Sequence, residues 1–372
     1  MNRYLDWNAT TPPSQGVLEA MASARVTAWG NPSSVHGHGR EARKLLESAR
    51  ETLATTLGVH PRDVLFTGSA TEANHLALSG ATSIVTSWLE HPSVSKMAEE
   101  YRARGRPVRF VPARPDGTIE LEAARLAFEE LKSSGELGGR PLLALLAASH
   151  ETGVLQPIEG ARALCDEFGV ELHVDAVQLL GRGPHKESLA LADSLSVAAH
   201  KIRGPKGIGA FAFRCGRAPV PVGRGGAQER GLRPGTQDAA LAAGFERALR
   251  ELEELRAGFA RAEAARELLE AGVRELGGTV HGSQVQRLPH VSNFRIPRWQ
   301  GDELVAALDL RGWSVSSGSA CSAGTAEPSP GIEAMVGREA ARGALRVSFG
   351  PEATRVEPEQ LLNELRGLAG AG

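Results

Sequence analysis

Residues 194–213 read SLSVAAHKIRGPKGIGAFAF. Two apolar runs, SLSVAAH and GIGAFAF, flank a short polar turn that contains Lys201, Arg203, Gly204, Pro205 and Lys206. Apolar runs of this length bounded by glycine and proline read as buried strands. Lys201 therefore lies at a strand end, where the chain enters a tight turn. The glycine run Gly204-Pro-Lys-Gly-Ile-Gly209 precedes a strand rather than a helix, which excludes a dinucleotide-binding loop.

Upstream, the same alternation recurs. Strand-like segments at 63–67, 83–87 (SIVTS), 107–112 (PVRFVP), 141–149 (PLLALLAAS) and 171–177 (ELHVDAV) are separated by helical ones. Leu45, Leu46, Ala49, Leu53 and Leu57 keep helical spacing, as do LEAARLAFEELKSS and IEGARALCDEFG. Strands alternating with helices predict an α/β fold, with a mostly parallel sheet covered on both faces and ligands at the carboxyl ends of its strands. After Thr236 the text changes. Residues 238–276 are rich in Ala, Glu, Arg and Leu and lack proline, which predicts long helices bridging two lobes. Short strands (VSNFRI, ALRVSF) and helices (GDELVAALDL, PEQLLNELRG) follow, a smaller α+β lobe. A chain of 372 residues is long for a single core.

Composition excludes several functions. The net charge of -2 gives no basis for binding nucleic acid or an acidic membrane. The strongly apolar stretch 142–148 is far too short to span a bilayer. The polar, proline-punctuated start MNRYLDWNATTPP is not a signal peptide, so a cytoplasmic protein is expected. Cys165, Cys215 and Cys321 lack zinc-site spacing. Cys165 and Cys215 sit in amphipathic or strand-like text and read as packing residues. Cys321 lies in SSGSACSAGTAEPSP, small and turn-forming residues that offer it little burial.

The chain holds six lysines: Lys44, Lys96, Lys132, Lys186, Lys201 and Lys206. Lys44, Lys96 and Lys132 fall on polar helix faces and Lys186 in a polar loop. Lys201 has the setting of a held, partly desolvated amine, as a Schiff-base lysine requires. Asp175, a lone carboxylate in the apolar strand of HVDAVQ, needs a cationic partner. That partner is either an arginine or the protonated ring nitrogen of a pyridine cofactor, whose phenolic oxygen Gln178 would then meet. Thr67-Gly-Ser-Ala-Thr-Glu-Ala-Asn74 follows a strand and opens a helix, a phosphate-binding geometry with the Thr71 hydroxyl at hand. Residues 223–236, GRGGAQERGLRPGT, are either a surface loop or a second anion-binding run.

Taken together, YLDWNATTP, NPSSVHGHG, FTGSATEAN, EHPSV, ETGVLQPI, HVDAVQ, HKIRGPKGIGA, GGAQERGLRPGT, SSGSACSAGTAEPS and LRVSFG resemble, in order, the NifS/IscS-type cysteine desulfurases. These belong to the class V aminotransferase group of fold-type I pyridoxal-phosphate (PLP) enzymes. The resemblance implies a seven-stranded large domain at 11–257. A smaller α+β domain from 1–10 and 258–372 would carry a cysteine loop at about 316–333. It implies that Lys201 binds the cofactor and shuttles a proton, and that His91 stacks on the ring and does acid–base work. Asp175 would meet the ring nitrogen and Gln178 the phenolic oxygen. Ala70, Thr71 and His200 would lie at the phosphate, and Thr236 would reach the phosphate of the neighbouring subunit of a homodimer. Arg346 would clamp the substrate carboxylate, with Asn31 bordering the substrate. Cys321 would take sulfur from L-cysteine as a persulfide, leaving L-alanine, and pass it to an acceptor such as an iron–sulfur scaffold or a thiolation enzyme. No metal is required, although Cys321 has the chemistry to ligate a partner's cluster.

Three positions depart from the family pattern. His150 stands where the family has asparagine, near both cofactor and substrate. Ala198 replaces a phosphate-binding serine, and Gly68-Ser69 inverts the usual Ser-Gly, so that Ser69 is a candidate source of the missing hydroxyl. Two alternatives remain open on the sequence: another class V enzyme (a transaminase, selenocysteine lyase or C–S lyase), which needs no loop thiol, or a catalytically weak paralogue serving as a scaffold.

Overall fold

The computed structural model describes residues 3–370 except 185, 215, 217 and 318–326. Cys215 and Cys321 lie outside the described residues. Twelve strands are present: β1 (Arg3–Tyr4), β2 (Val64–Thr67), β3 (Ile84–Ser87), β4 (Val108–Val111), β5 (Leu142–Leu146), β6 (Glu171–Asp175), β7 (Ser194–Ala198), β8 (Gly209–Phe213), β9 (Thr279–Val280), β10 (Val291–Arg295), β11 (Trp313–Ser314) and β12 (Ala344–Ser348).

Seven of them form the central sheet in the order β2-β8-β7-β6-β5-β3-β4, the mostly parallel sheet that the alternation predicts and the seven strands that the family resemblance implies. All pairs are parallel except those of β8, which runs antiparallel to both β2 and β7. The physical reason is in the quoted segment. Ten residues join β7 to β8, and a parallel return needs a longer crossover. Buried residues run without a break along β2, β3, β5, β6, β7 and β8, the pattern of strands covered on both faces.

The proline-free stretch from Asp238 forms three helices in succession, Ala239–Arg250, Leu252–Arg261 and Glu263–Glu275. Leu252, Leu255 and Phe259 pack into the core of the large sheet, and Ala262, Ala265 and Leu269 pack into a second core. That second core surrounds the three-stranded antiparallel sheet β12-β10-β9 and also takes in Leu5 and Trp313. Trp7, two residues after Leu5, belongs to the first core. The N-terminal segment thus crosses from one core to the other directly beside Lys201.

Candidate functional site

Lys201 ends a single 3-10 turn, Ala199–Lys201, that follows β7. The turn is closed by bonds from the Ile202 and Gly204 amides to the Ala199 carbonyl, at 3.0 and 2.9 Å. Arg203 takes a left-handed conformation (φ 63°) just beyond it. The Lys201 Nζ donates to the carbonyls of Asn8 and of Ala9, the latter at 2.9 Å. Burial is the main cause that pulls the amine down to about 7, followed by the positive charges of Arg182 and Arg346. Asp175 and Asp6 oppose the shift.

The amine opens into a cavity of about 260 Å³. Ser69, Ala70, Thr71, His91, His150, Asp175, Gln178, His200 and Arg346 line it together with Lys201. The strand ends supply them: Asp175 closes β6, His200 and Lys201 follow β7, and the helix Ala70–Ser79 starts just after β2. Ser69 caps that helix by accepting from the Glu72 amide at 3.3 Å. The start of β8 passes directly beneath, and a Cβ on Gly209 would lie 2.7 Å from the Ser69 carbonyl carbon. Ala198 is buried and offers no hydroxyl, whereas Ser69 borders the cavity.

Asp175 is 7% exposed. Its carboxylate accepts from the Asn74 side-chain amide at 2.8 Å and from the Val177 amide at 3.0 Å. Among the described residues no lysine or arginine forms an ion pair with it, so the arginine partner open in the sequence is not there. Asn74 has no assigned role in the sequence, yet it links the site. Its amide nitrogen also donates to the Ser93 hydroxyl at 2.8 Å, while its oxygen accepts from His173 Nε2 at 3.0 Å and from the Ser196 hydroxyl. The signal was its place as a polar residue in FTGSATEAN.

His91 caps the helix Pro92–Ala103, with Nδ1 accepting from the Ser93 amide at 3.1 Å. Burial lowers the His91 pKa; Asp175 opposes this and Lys201 adds to it. The His91 and His150 rings meet edge to face with centroids 5.4 Å apart. Burial, then His91, Arg346 and Lys201, hold His150 well below the usual imidazole range. The His150 carbonyl accepts from Asn8 Nδ2 at 3.1 Å and from Arg346 at 3.0 Å. Arg346 also pairs with Asp6 at 2.6 Å, and its buried Nε has no hydrogen-bond partner. His200 bonds Thr10 at 3.1 Å, and burial, then Lys201 and Arg182, pull it to about 3.

Asn31 and Thr236 are not brought to this cavity. They line a second one together with Trp29, Gln237 and Asp238. The segment 223–236 is not a plain surface loop. Glu229, buried and at φ 46°, pairs with Arg50 at 2.7 Å, and Arg233 pairs with Glu72 at 2.8 Å.

The cavity fits a phosphorylated pyridine. Backbone and hydroxyl donors stand at a helix start, an unpaired carboxylate faces the middle, and an amine of lowered pKa stands opposite. The sequence matches the class-V aminotransferase family over residues 3–361. The chain belongs to this family, among the NifS/IscS-type cysteine desulfurases. An IscS-like cysteine desulfurase of Mycobacterium tuberculosis is 36% identical over 384 residues, spanning 98% of this chain and 95% of that one. A solved NifS-like protein superposes with a TM-score of 0.88 at 31% identity over the full length of both chains. SspA, solved in complex with cysteine, superposes with a TM-score of 0.79 at 29% identity, covering 95% of this chain and 100% of that one. For a class-V aminotransferase, no described helix is out of place: none is long and apolar enough to cross a membrane.

Proposed function

We propose that this protein is a PLP-dependent cysteine desulfurase that moves the sulfur of L-cysteine onto Cys321 as a persulfide and releases L-alanine. The observation that supports it most is the pairing, within one cavity, of an amine of lowered pKa at Lys201 with the unpaired carboxylate of Asp175.

When bound, the cofactor supplies an electron sink for loss of the substrate α-proton. The residues do the rest. Asp175 would hold the ring nitrogen protonated and Gln178 would donate to the phenolic oxygen, while Ala70, Thr71, Ser69 and His200 would hold the phosphate. Lys201 would anchor the cofactor, and its amine would accept and return the substrate α-proton. His91 would lie over the ring and move a proton through Nε2. Arg346, which lines the cavity, would hold the substrate carboxylate, with His150 in place of the family asparagine. The Cys321 thiolate attacks the substrate sulfur; a sulfur–sulfur bond forms as the carbon–sulfur bond breaks, and the carbon fragment is protonated to alanine.

Cys321 itself lies outside the described residues, but the ends of its segment are tied to the site. Ser316 and Arg346 exchange backbone bonds at 3.2 and 2.6 Å, and the Ser329 hydroxyl donates to Glu151 at 2.6 Å. The persulfide then passes to an acceptor protein, of which an iron–sulfur scaffold or a thiolation enzyme has the right chemistry.

We place the protein in the cytoplasm as a homodimer in which Thr236 and Asn31 complete the partner's site. Their distance from Lys201's cavity and the exposure of Trp29 beside them (67%) support this. We divide the chain into domains at 11–257, and at 1–10 with 258–372; the change of core near Phe259 and Ala262 supports a boundary in this region, although Trp7 and Phe259 pack into the larger core. Alanine formation from L-cysteine by the wild type and by Cys321→Ala tests the reaction. Persulfide and catalytic turnover are lost in the variant if the reading holds, whereas undiminished turnover of C321A would indicate a lyase or transaminase.

A further inference from the structure

Arg182 is 1% exposed, yet among the described residues it has no carboxylate partner. Its two terminal nitrogens donate to four uncharged oxygens. Nη1 meets Asn8 Oδ1 at 2.7 Å and Gln178 Oε1, while Nη2 meets the carbonyls of Trp7 at 3.0 Å and Lys201 at 2.9 Å. Nε has no hydrogen-bond partner, and the Phe259 ring lies 5.4 Å from Cζ. Keeping a guanidinium in the interior on neutral acceptors is costly, and an apolar side chain or a paired ion is the cheaper occupant. The fork joins the N-terminal segment to Gln178, three residues past the end of β6, and to Lys201, three residues past the end of β7, the pieces of chain that converge on the cavity.

Two consequences follow from this geometry. Gln178 Oε1 is committed to Arg182, so the amide cannot flip, and its Nε2 is the atom left to donate, to the Asn8 carbonyl at 3.1 Å and into the cavity that Gln178 lines. The second consequence is electrostatic. Lys201 faces the cations Arg182 and Arg346, the carboxylates Asp175 and Asp6, and the neutral imidazoles of His91, His150 and His200. Of the two cations, Arg182 exerts the larger effect on Lys201. Arg182 is itself lowered to about 9, chiefly by burial, and so remains a cation at neutral pH.

We propose that Arg182 is a positioning residue of this site, locking the Gln178 amide with its nitrogen toward the cavity and biasing the Lys201 amine toward its uncharged, nucleophilic form. The inference rests on the pyridoxal-phosphate reading of the cavity, and its test separates the two. Cofactor-free protein is labelled with acetic anhydride across a pH series, and the Lys201 peptide is followed by mass spectrometry against the other five lysines. In the wild type, Lys201 becomes reactive with a midpoint of about 7. In Arg182→Met that midpoint rises by about one pH unit or more. In Arg182→Lys it stays near the wild-type value, because the charge is kept.

The visible band of the PLP-loaded protein is displaced in both variants, since neither holds Gln178 with a two-pronged fork. An unchanged Lys201 midpoint in folded R182M, or an unchanged band in both variants, overturns the proposal. Should R182M fail to fold, R182K decides: a displaced band with an unmoved midpoint supports the proposal, and an unmoved band contradicts it. A wild type that takes up no PLP removes the cofactor reading, while the labelling series still reports on the charge of Arg182.

Discussion

At His91, two donors converge on Nδ1, the Ser93 amide at 3.1 Å and the Ser93 hydroxyl at 2.8 Å. The hydroxyl is free to donate because it accepts from Asn74, so Nδ1 is an acceptor and the ring proton sits on Nε2. Both bonds favour the neutral imidazole. Ser93→Ala removes one of them, so the acid limb of the pH–rate profile is expected to move to higher pH, with kcat down by about tenfold and KM little changed. A profile identical to wild type in kinetics across pH would contradict this tautomer assignment. His150 makes the opposite prediction. Its imidazole is already neutral through the physiological range, so His150→Asn leaves the profile between about pH 6 and 8 unshifted, whatever it does to the rate. Lys201 and Asp175 stood out from the text itself, each a lone polar group in apolar or strand-end text, and Gln178 through its spacing from Asp175, whereas His91, a helix-start residue, and Arg346 were reached only through the family resemblance. Asn74 and Arg182 were not legible, since Asn74 meets Asp175 at a separation of 101 residues and the Arg182 fork gathers Asn8, Gln178 and Lys201 from three separate stretches of chain.

The strand segments between 63 and 213 were legible as elements because continuous burial leaves an uninterrupted apolar run. The antiparallel direction of β8 was present in the short β7–β8 connection, a length signal rather than a pattern signal. The segment 223–236 stayed open between a surface loop and an anion-binding run. Its residues are largely exposed, but Glu229 reaches a buried arginine 179 residues away, a tie that no local pattern announces. Glu229 also accepts from the Phe66 amide at 3.1 Å and from Gln237 at 3.0 Å, which ties the loop to β2 just before Thr236. Replacing Glu229 with alanine removes the buried carboxylate of Arg50 and leaves only the half-exposed Glu47 at 3.1 Å, a loss of up to about 3 kcal/mol. The expected result is a clear drop in Tm and weaker PLP retention in the dimer, measured by thermal unfolding and by dialysis. Retention equal to wild type in a protein of lowered Tm would detach the loop from the cofactor site.

For the whole molecule, burial sets the pH response. His150, His173, His200 and His290 are all held below the ordinary imidazole value, His173 and His200 at about 3. As pH falls below about 6.5, the unfolded chain gains protons that the folded one refuses, and stability declines. Buried Glu90 and Glu151, both raised by burial, work the other way, because the folded state keeps protons that the unfolded state releases. His75, His91 and His281 are lowered too, so seven histidines against two carboxyls leave a net fall on acidification; Tm is expected to be lower at pH 5 than at pH 7, with a flat or rising Tm counting against the burial of these histidines. The same scale explains what sequence could not place. Asn31 and Thr236 share a second cavity rather than the one at Lys201, which fits the proposal that they complete the site of a second copy.

The most direct test of the central claim joins a visible spectrum to a mass measurement. Purified protein supplied with PLP is mixed with L-cysteine, and alanine and the mass of the Cys321 peptide are followed. The account predicts a band at roughly 420 nm that cysteine perturbs, alanine release, and one added sulfur on Cys321 that a reductant removes. A perturbed band with no alanine and no sulfur on Cys321 would contradict it.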